Sequence, residues 1–171
     1  KGGQAHASKG ELDALVDWTG GIACLIQGEM VDAAVRFDAA AVQFTALGEP
    51  RHAAHAQVPK IMALAMLGRN DDAVACATAV RDQLRLLGDV EAASKVSINL
   101  GNLLYRGDRY DAAVEQFREA ATQFAFVGDL EHSAMAELGL ADALAATGCP
   151  AEPAPTSARP RTLAAQHHVP V

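Results

Sequence analysis

The sequence predicts an all-α protein, an α-solenoid of antiparallel helical hairpins, and three observations support this fold class. Alanine supplies 37 of the 171 residues whereas aromatic residues make up only 5%, a composition that favours helices over sheets. A pattern of small and apolar residues recurs with a period of 40 positions. Within each period the apolar residues keep the three- and four-residue spacing of one helical face.

The repeat is clearest at three short turns and at the positions between them. Leu-Gly-Glu at 47–49, Leu-Gly-Asp at 87–89 and Val-Gly-Asp at 127–129 mark the period. Four further sets of equivalent positions keep the same register: Ala33, Ala73 and Ala113; Phe37, Ala77 and Phe117; Ala40, Val80 and Ala120; and Phe44, Leu84 and Phe124. A single hairpin cannot bury its apolar face alone, so these units are expected to stack.

Each unit fits two helices, because glycine can end a helix in the left-handed conformation and a following Asp can cap the next one. Pro50 likewise suits a first helical turn. The resulting segmentation predicts seven helices, at 9–27, 30–47, 50–67, 70–87, 90–106, 109–127 and 130–147. These make about three hairpins plus a closing helix, and the short turns between them require antiparallel neighbours.

The third and fourth helices each contain a feature that calls for an explanation. Pro59 lies inside the third, where it removes the amide that would bond to the carbonyl of His55. It is interpreted either as a tolerated bend that sets local curvature or as a kink that exposes this carbonyl for binding. Asp71 and Asp72, at the start of the fourth helix, are interpreted as carboxylates that complement the helix dipole.

The seventh helix ends the repeat, because five of the seven prolines follow it. Its outer face carries Glu131, Glu137 and Asp142, which suits either exposure to solvent or a missing partner. The predicted organisation is a flexible N-terminus at 1–8, a helical repeat domain at 9–148 and a disordered Pro-rich tail at 149–171.

The repeat resembles the tetratricopeptide repeat (TPR). The third unit carries that signature most fully, and the first carries much of it: Leu100, Gly101, Leu104, Tyr110, Ala113, Phe117 and Ala120, with Gly21, Met30, Ala33, Phe37 and Ala40. The resemblance covers 11–148, and the 40-residue period is similar to the extended subtype of kinesin light chains and many bacterial regulators. It implies a right-handed solenoid in which small residues let the helices approach closely.

Composition and motifs argue against several functional classes. The net charge of −7 is unfavourable for binding a phosphate backbone, and no apolar stretch reaches the length of a membrane helix. Phosphate-binding loops, nucleophile elbows and zinc-protease motifs do not occur in the sequence. His52 and His55 lie three residues apart but lack further ligands, so they are interpreted as surface or groove histidines. No enzymatic activity, cofactor or metal is expected, and the cytoplasm is the predicted location.

The resemblance to the TPR family also implies a concave groove lined by the first helix of each hairpin. Carrying those positions over gives a set of eleven candidate residues: Trp18, Ile22 and Leu25; His55, Met62 and Met66; and Lys95, Asn99, Asn102, Tyr105 and Arg106. The groove is thus expected to be apolar at its N-terminal end and polar to basic at the fifth helix. Lys95, Asn99, Asn102 and Arg106 are predicted to form a compact donor cluster.

These observations predict a non-catalytic interaction module that binds a peptide or partner domain in its groove. The resemblance further implies that the chain is part of a larger bacterial regulatory protein. The alternative is a scaffold without a free peptide ligand, in which the first or seventh helix pairs with another copy to give a homo-oligomer. The expected partners are therefore proteins or peptides, with no nucleic acid and no membrane.

Overall fold

A computed structural model describes residues 8–148, which form seven α-helices and no strand. The helices are α1 (Lys9–Gln27), α2 (Met30–Ala46), α3 (Pro50–Met66), α4 (Asn70–Leu86), α5 (Val90–Arg106), α6 (Tyr110–Val127) and α7 (Leu130–Thr147). The all-α class is confirmed for this part of the chain. The predicted flexible N-terminus, apart from Ser8, and the predicted tail at 149–171 lie outside the described residues.

The observed helix boundaries differ from the predicted ones by one residue at most. Leu47, Leu67 and Leu87 follow the last helical residue of α2, α3 and α4 as C-caps rather than belonging to the helices. Arg109 likewise precedes α6 as its N-cap. Ser8 and Glu11 form a capping box at the start of α1, in which each side chain accepts a hydrogen bond from the other residue's amide.

The turns explain why these boundaries were predictable. At six turns a glycine takes the left-handed conformation that ends the helix, with φ between +72° and +82°. The turn before α6 differs, because its Gly107 stands one position early in the repeat. There Gly107 has φ −95° and Asp108 takes the left-handed position instead, with φ 57°. Asp89 and Asp129 cap α5 and α7 as predicted, accepting from the amides of Ala92 and His132.

Consecutive helices pack against each other along the whole described chain, as stacked antiparallel hairpins require. Among the odd-numbered helices, α1 also contacts α3 and α5 contacts α7. Helices α3 and α5 make fewer close contacts with each other, and a depression lies between them. The arrangement is compatible with a repeat helical solenoid.

Close packing inside the hairpins depends on pairing a small residue with a large one. Phe37 and Phe117 are buried, and a Cβ atom added to Gly21 would lie 2.7 Å from the Phe37 ring. A Cβ atom on Gly101 would lie 2.8 Å from the Phe117 ring. In the middle hairpin the large residue is on the first helix and the small one on the second. Ile61 takes the place of the glycines, and Ala77 takes the place of the phenylalanines. Volume is therefore conserved across the repeat although residue identity is not.

Helix α3 runs without interruption through Pro59, from Pro50 to Met66. The proline is half-buried and faces the space between α3 and α5. None of the seven described helices combines the length and the apolar character needed to cross a bilayer.

Candidate binding groove

A depression of about 530 Å³ lies between α3 and α5, with α1 at one side. Residues of α1 and α3 form its apolar part, and residues of α5 form the opposite wall: Ile22, Leu25, Val58, Pro59, Ile61, Met62, Ala65 and Met66, facing Asn99, Asn102, Leu103 and Arg106. We call this space the methionine depression. Its size is that of a site for a few side chains of a bound peptide.

Met62 and Met66 give the methionine depression its most accessible apolar surface. They stand one helical turn apart on α3, and they are 60% and 63% exposed. Several other large apolar side chains are as exposed, but Met62 and Met66 lie together at the edge of one cavity. Because methionine side chains are flexible and polarisable, they can adapt to apolar groups of different shape.

Polar side chains of α5 form the opposite rim of the methionine depression. Asn99, Asn102 and Arg106 are all exposed. The Nε atom of Arg106 lies 3.4 Å from the carbonyl oxygen of Asn102, a long contact, and within residues 8–148 Arg106 forms no ion pair. The rim therefore offers amide groups and a cation whose charge is not neutralised by a carboxylate.

A second depression of about 440 Å³ adjoins the first and shares Val58 and Pro59 with it. Its other lining residues come from α1, α3 and the first turns of α5: Trp18, His55, Asp89, Glu91, Ala92, Lys95 and Val96. We call it the histidine depression, and the two depressions together form the groove. The groove thus follows the space between α3 and α5.

The charged groups of the histidine depression are paired with each other. The Nε2 atom of His55 lies 2.9 Å from Oδ2 of Asp89, and Nη1 of Arg51 lies 3.7 Å from the same oxygen. Arg51 also donates to the carbonyl of Leu87 at 3.0 Å. The hydrogen bond with His55 is the main cause that lowers the pKa of Asp89. These contacts connect α3 to the turn before α5 and hold Asp89 as a carboxylate at neutral pH.

Lys95 lines a different depression from the other three donors predicted for α5. Its Nζ atom lies 2.7 Å from Oε1 of Glu91, and the hydrogen bond with Glu91 raises the pKa of Lys95. Lys95 lines the histidine depression, whereas the other three predicted donors line the methionine depression. The structure thus places the four predicted donors in two depressions, with the Lys95 ammonium paired to Glu91 in one and Asn99, Asn102 and Arg106 in the other. The physical reason is the i, i+4 carboxylate on the same helix face.

Trp18 is one of the residues that line the histidine depression. It is half-buried and packs against two core clusters that include Phe37 and Phe44 of α2. Its indole Nε1 is buried and has no hydrogen-bond partner among the described residues. The side chain therefore serves packing between α1, α2 and α3 while one edge borders the groove.

Ten of the eleven candidate residues line the groove. Seven of them lie in the methionine depression, namely Ile22, Leu25, Met62, Met66, Asn99, Asn102 and Arg106. Three lie in the histidine depression, namely Trp18, His55 and Lys95. Tyr105 lines neither, and its ring packs edge-on against Tyr110 with centroids 5.4 Å apart. Tyr105 thus faces the turn before α6.

Sequence reasoning missed two acidic residues of the groove, Asp89 and Glu91. The sequence identifies Asp89 only as a helix cap. In the structure the same residue also lines the histidine depression between α3 and α5. The signal that could have revealed it is the repeat itself. His55 and Lys95 occupy equivalent positions, and an Asp lies 34 residues after each of them, Asp89 and Asp129.

His52 and His132, which are 80 residues apart, have the same local role. His52 lies 3.1 Å from a carboxylate oxygen of Glu49, and its ring packs 5.5 Å from the ring of Phe44. The His132 ring likewise lies beside the Asp129 carboxylate, at 2.8 Å, and stacks 5.0 Å from Phe124. Residues 8–148 contain no group of three or more side chains placed to hold a metal ion. These histidines therefore cover phenylalanine rings at the turns.

The groove combines an apolar floor, two exposed methionines and a polar rim. The sequence matches no family model and no curated protein. Function is therefore inferred from the geometry and chemistry of the groove.

Proposed function

We propose that this chain is a non-catalytic protein-interaction module of the TPR type, a right-handed solenoid that binds an extended peptide or a segment of a partner domain in its groove. The observation that carries the proposal is the methionine depression of about 530 Å³, in which exposed Met62 and Met66 face the polar side chains of α5. The proposed setting is a larger bacterial regulatory protein in the cytoplasm.

The small-to-large packing inside the hairpins supports the TPR type. Gly21 with Phe37, and Gly101 with Phe117, combine a helix position without a side chain with a buried ring one helix later. Such pairs let two helices of a hairpin approach closely, which is what the resemblance of the sequence implies. The odd-numbered helices then share one side of the array, where the groove lies.

The two walls of the groove suggest how a peptide binds. An apolar side chain would displace water from between Met62, Met66 and Leu25, which is the main favourable contribution. Asn99 and Asn102 can exchange hydrogen bonds with a peptide backbone, which carries both donors and acceptors. Arg106 can pair with an acidic group of the peptide, because no carboxylate of the described chain neutralises it.

The test uses peptides selected from a random-sequence display library on the full chain, with affinity measured by fluorescence anisotropy. Met62→Glu places a charge on the floor of the depression, and Arg106→Ala removes the rim cation. Each change is expected to weaken binding by at least about tenfold, as for a central contact residue. Circular dichroism checks that the helices persist.

Matched controls come from exposed positions outside the groove. Met135→Glu makes the same change at a methionine of α7 that is 52% exposed, and Arg109→Ala removes a cation beside α6. Both should leave the affinity of the selected peptide unchanged. If Met62→Glu and Met135→Glu affect affinity equally, the groove is not the binding site.

Self-association is a second candidate, and the exposed face of α1 favours it. Helix α1 is the first helix of the described array, and it exposes three large apolar side chains: Leu12 at 52%, Val16 at 64% and Ile26 at 83%. A second copy covering this face would remove apolar surface from water. Light scattering over a concentration series should then give a rising mass, which Val16→Glu abolishes. A constant monomer mass at high concentration would exclude this candidate.

A further inference from the structure

Helix α7 has an exposed face whose counterpart in α5 is buried. Ser94, Ile98 and Gly101 of α5 pack inside their hairpin and are buried. One period later, Ala134, Leu138 and Ala141 of α7 are exposed, and Leu138 is 66% exposed. The face is therefore the inner face of a hairpin that lacks its second helix among the described residues.

Apart from His132, the ionisable side chains of α7 are all acidic. Glu131, Glu137 and Asp142 lie on this helix, which contains neither Lys nor Arg. None of these three carboxylates forms an ion pair within residues 8–148, and Glu137 only accepts a hydrogen bond from Ser133. Any segment that covers the face should therefore combine apolar and basic side chains. A second α7 is disfavoured, because it would bring six carboxylates together without a cation.

The sequence after α7 contains a segment with this chemistry. Residues 159–168 include Arg159 and Arg161, no acidic residue, and one large aliphatic side chain, Leu163. The segment cannot simply continue the repeat, because prolines stand at 153 and 160, the positions equivalent to Ala113 and Ala120 of α6.

The connection is long enough for such docking. Leu138 precedes Gly148 by ten residues of helix, which corresponds to about 15 Å along the axis. The ten residues 149–158 can span up to about 33 Å when extended. Arg159 can therefore reach any point from the end of α7 back past Leu138.

We propose that residues 159–168 of this chain dock on the exposed face of α7, with Leu163 against Leu138 and Ala141 and the two arginines beside Glu137 and Asp142. The docked segment covers the open end of the array within the same molecule. This inference is independent of the groove, since α7 contributes no residue to either depression.

Disulfide trapping in the full chain tests the proposal. Cys24, Cys76 and Cys149 are first replaced by alanine, and Leu163→Cys is then combined with Leu138→Cys. The control combines Leu163→Cys with Asp111→Cys, because exposed Asp111 shares a depression with Thr147 and so lies near the start of the segment. In glutathione buffer, the Leu138 pair should form an intramolecular disulfide at least about tenfold faster than the control. Equal rates would overturn the proposal, and so would disulfide-linked dimers that increase with concentration.

A second measurement keeps the native cysteines and uses charge reversal. Arg159→Glu with Arg161→Glu should speed hydrogen exchange of the amides of Ala141 and its neighbours in α7 several-fold. Adding Glu137→Arg and Asp142→Arg should restore the slower exchange, and Arg109→Glu alone should have no effect there. Unchanged exchange in the first variant would overturn the proposal, because the arginines would then not hold the segment on α7.

Discussion

Phe117 is buried between two helices that each lack a side chain where they touch its ring. Gly101 approaches the ring from α5, and Gly139 approaches it from α7, where an added Cβ atom would lie 2.5 Å away. Both glycines lie inside a helix, where glycine is less stable than alanine by roughly 0.5–1 kcal/mol. Close packing offsets that cost, so the glycines are explained by contact and not by backbone conformation.

Gly139→Ala is therefore expected to lower the free energy of unfolding by about 1–3 kcal/mol, because the new methyl group overpacks the contact with Phe117. Urea denaturation followed by circular dichroism measures the change. Gly10→Ala is the matched control, since its Cβ atom would meet only the end of the Leu47 side chain, at 3.2 Å. That variant should be as stable as the parent or more stable. A parent-like stability of Gly139→Ala would contradict the packing argument.

At the scale of elements, the middle hairpin shows that the repeat conserves volume rather than residue identity. Ile61 and Ala77 are buried, and they occupy the positions of Gly101 and Phe117 one period earlier. The large side chain has moved from the second helix of the hairpin to the first. Helix α3 therefore carries more bulk than α1 or α5 at this position, beside Pro59. This extra bulk lies beside the groove, because Ile61 is one of its lining residues.

A double-mutant cycle tests this exchange of volume. Ile61→Gly alone leaves a cavity and should cost roughly 2–5 kcal/mol, while Ala77→Phe alone overpacks the hairpin. The double variant recreates the pair found in the neighbouring hairpins, so its loss of stability should be smaller than the sum by about 0.5–3 kcal/mol. Combining Ile61→Gly with Ala73→Phe, at a buried but non-equivalent position, should show no such recovery. Additive losses in the first cycle would mean that the two positions do not share one space.

At the scale of the whole molecule, local sequence signals were enough to predict the helix boundaries. The shape and charge of the groove depend on contacts between helices and between side chains, which those signals do not contain. The boundaries were predictable because a glycine takes a positive φ at every turn but the one before α6, where the early position of Gly107 leaves Asp108 in that conformation. The pairing of Lys95 with Glu91 was not predicted, because the repeat positions identify a residue's place on a helix but not its partner. Nor does the repeat itself show the depression between α3 and α5.

Two capping carboxylates connect the stability of the array to pH. The hydrogen bond with His55 lowers the pKa of Asp89, and the backbone amide of His132 lowers the pKa of Asp129. An unfolded Asp has a pKa of about 3.9. Because the folded-state values are lower, the stabilisation is present above that pH and is lost as pH falls through the folded-state pKa.

Asp89→Asn should accordingly make the midpoint of urea unfolding less dependent on pH below about pH 4, since an amide cannot be protonated there. Asparagine still caps a helix, so the variant should remain folded at neutral pH. Asp71→Asn is the matched control, because exposed Asp71 forms no hydrogen bond or ion pair within residues 8–148. It should retain the parent's pH dependence. The same pH dependence in all three proteins would show that Asp89 has no part in acid unfolding.

The pairing of glycine with phenylalanine inside a hairpin also bears on how such an array can be rearranged by recombination. A segment cut at the glycine turns, such as 28–68, separates Gly21 from Phe37 and leaves both without their complement. A segment that starts before the first helix of a hairpin carries its complementary pair with it. Duplication or exchange of whole hairpins is therefore structurally neutral at these positions, whereas breakpoints between the two helices of a hairpin produce either a cavity or a clash. The last hairpin is the exception, because Phe117 also requires Gly139 of α7 to move with it.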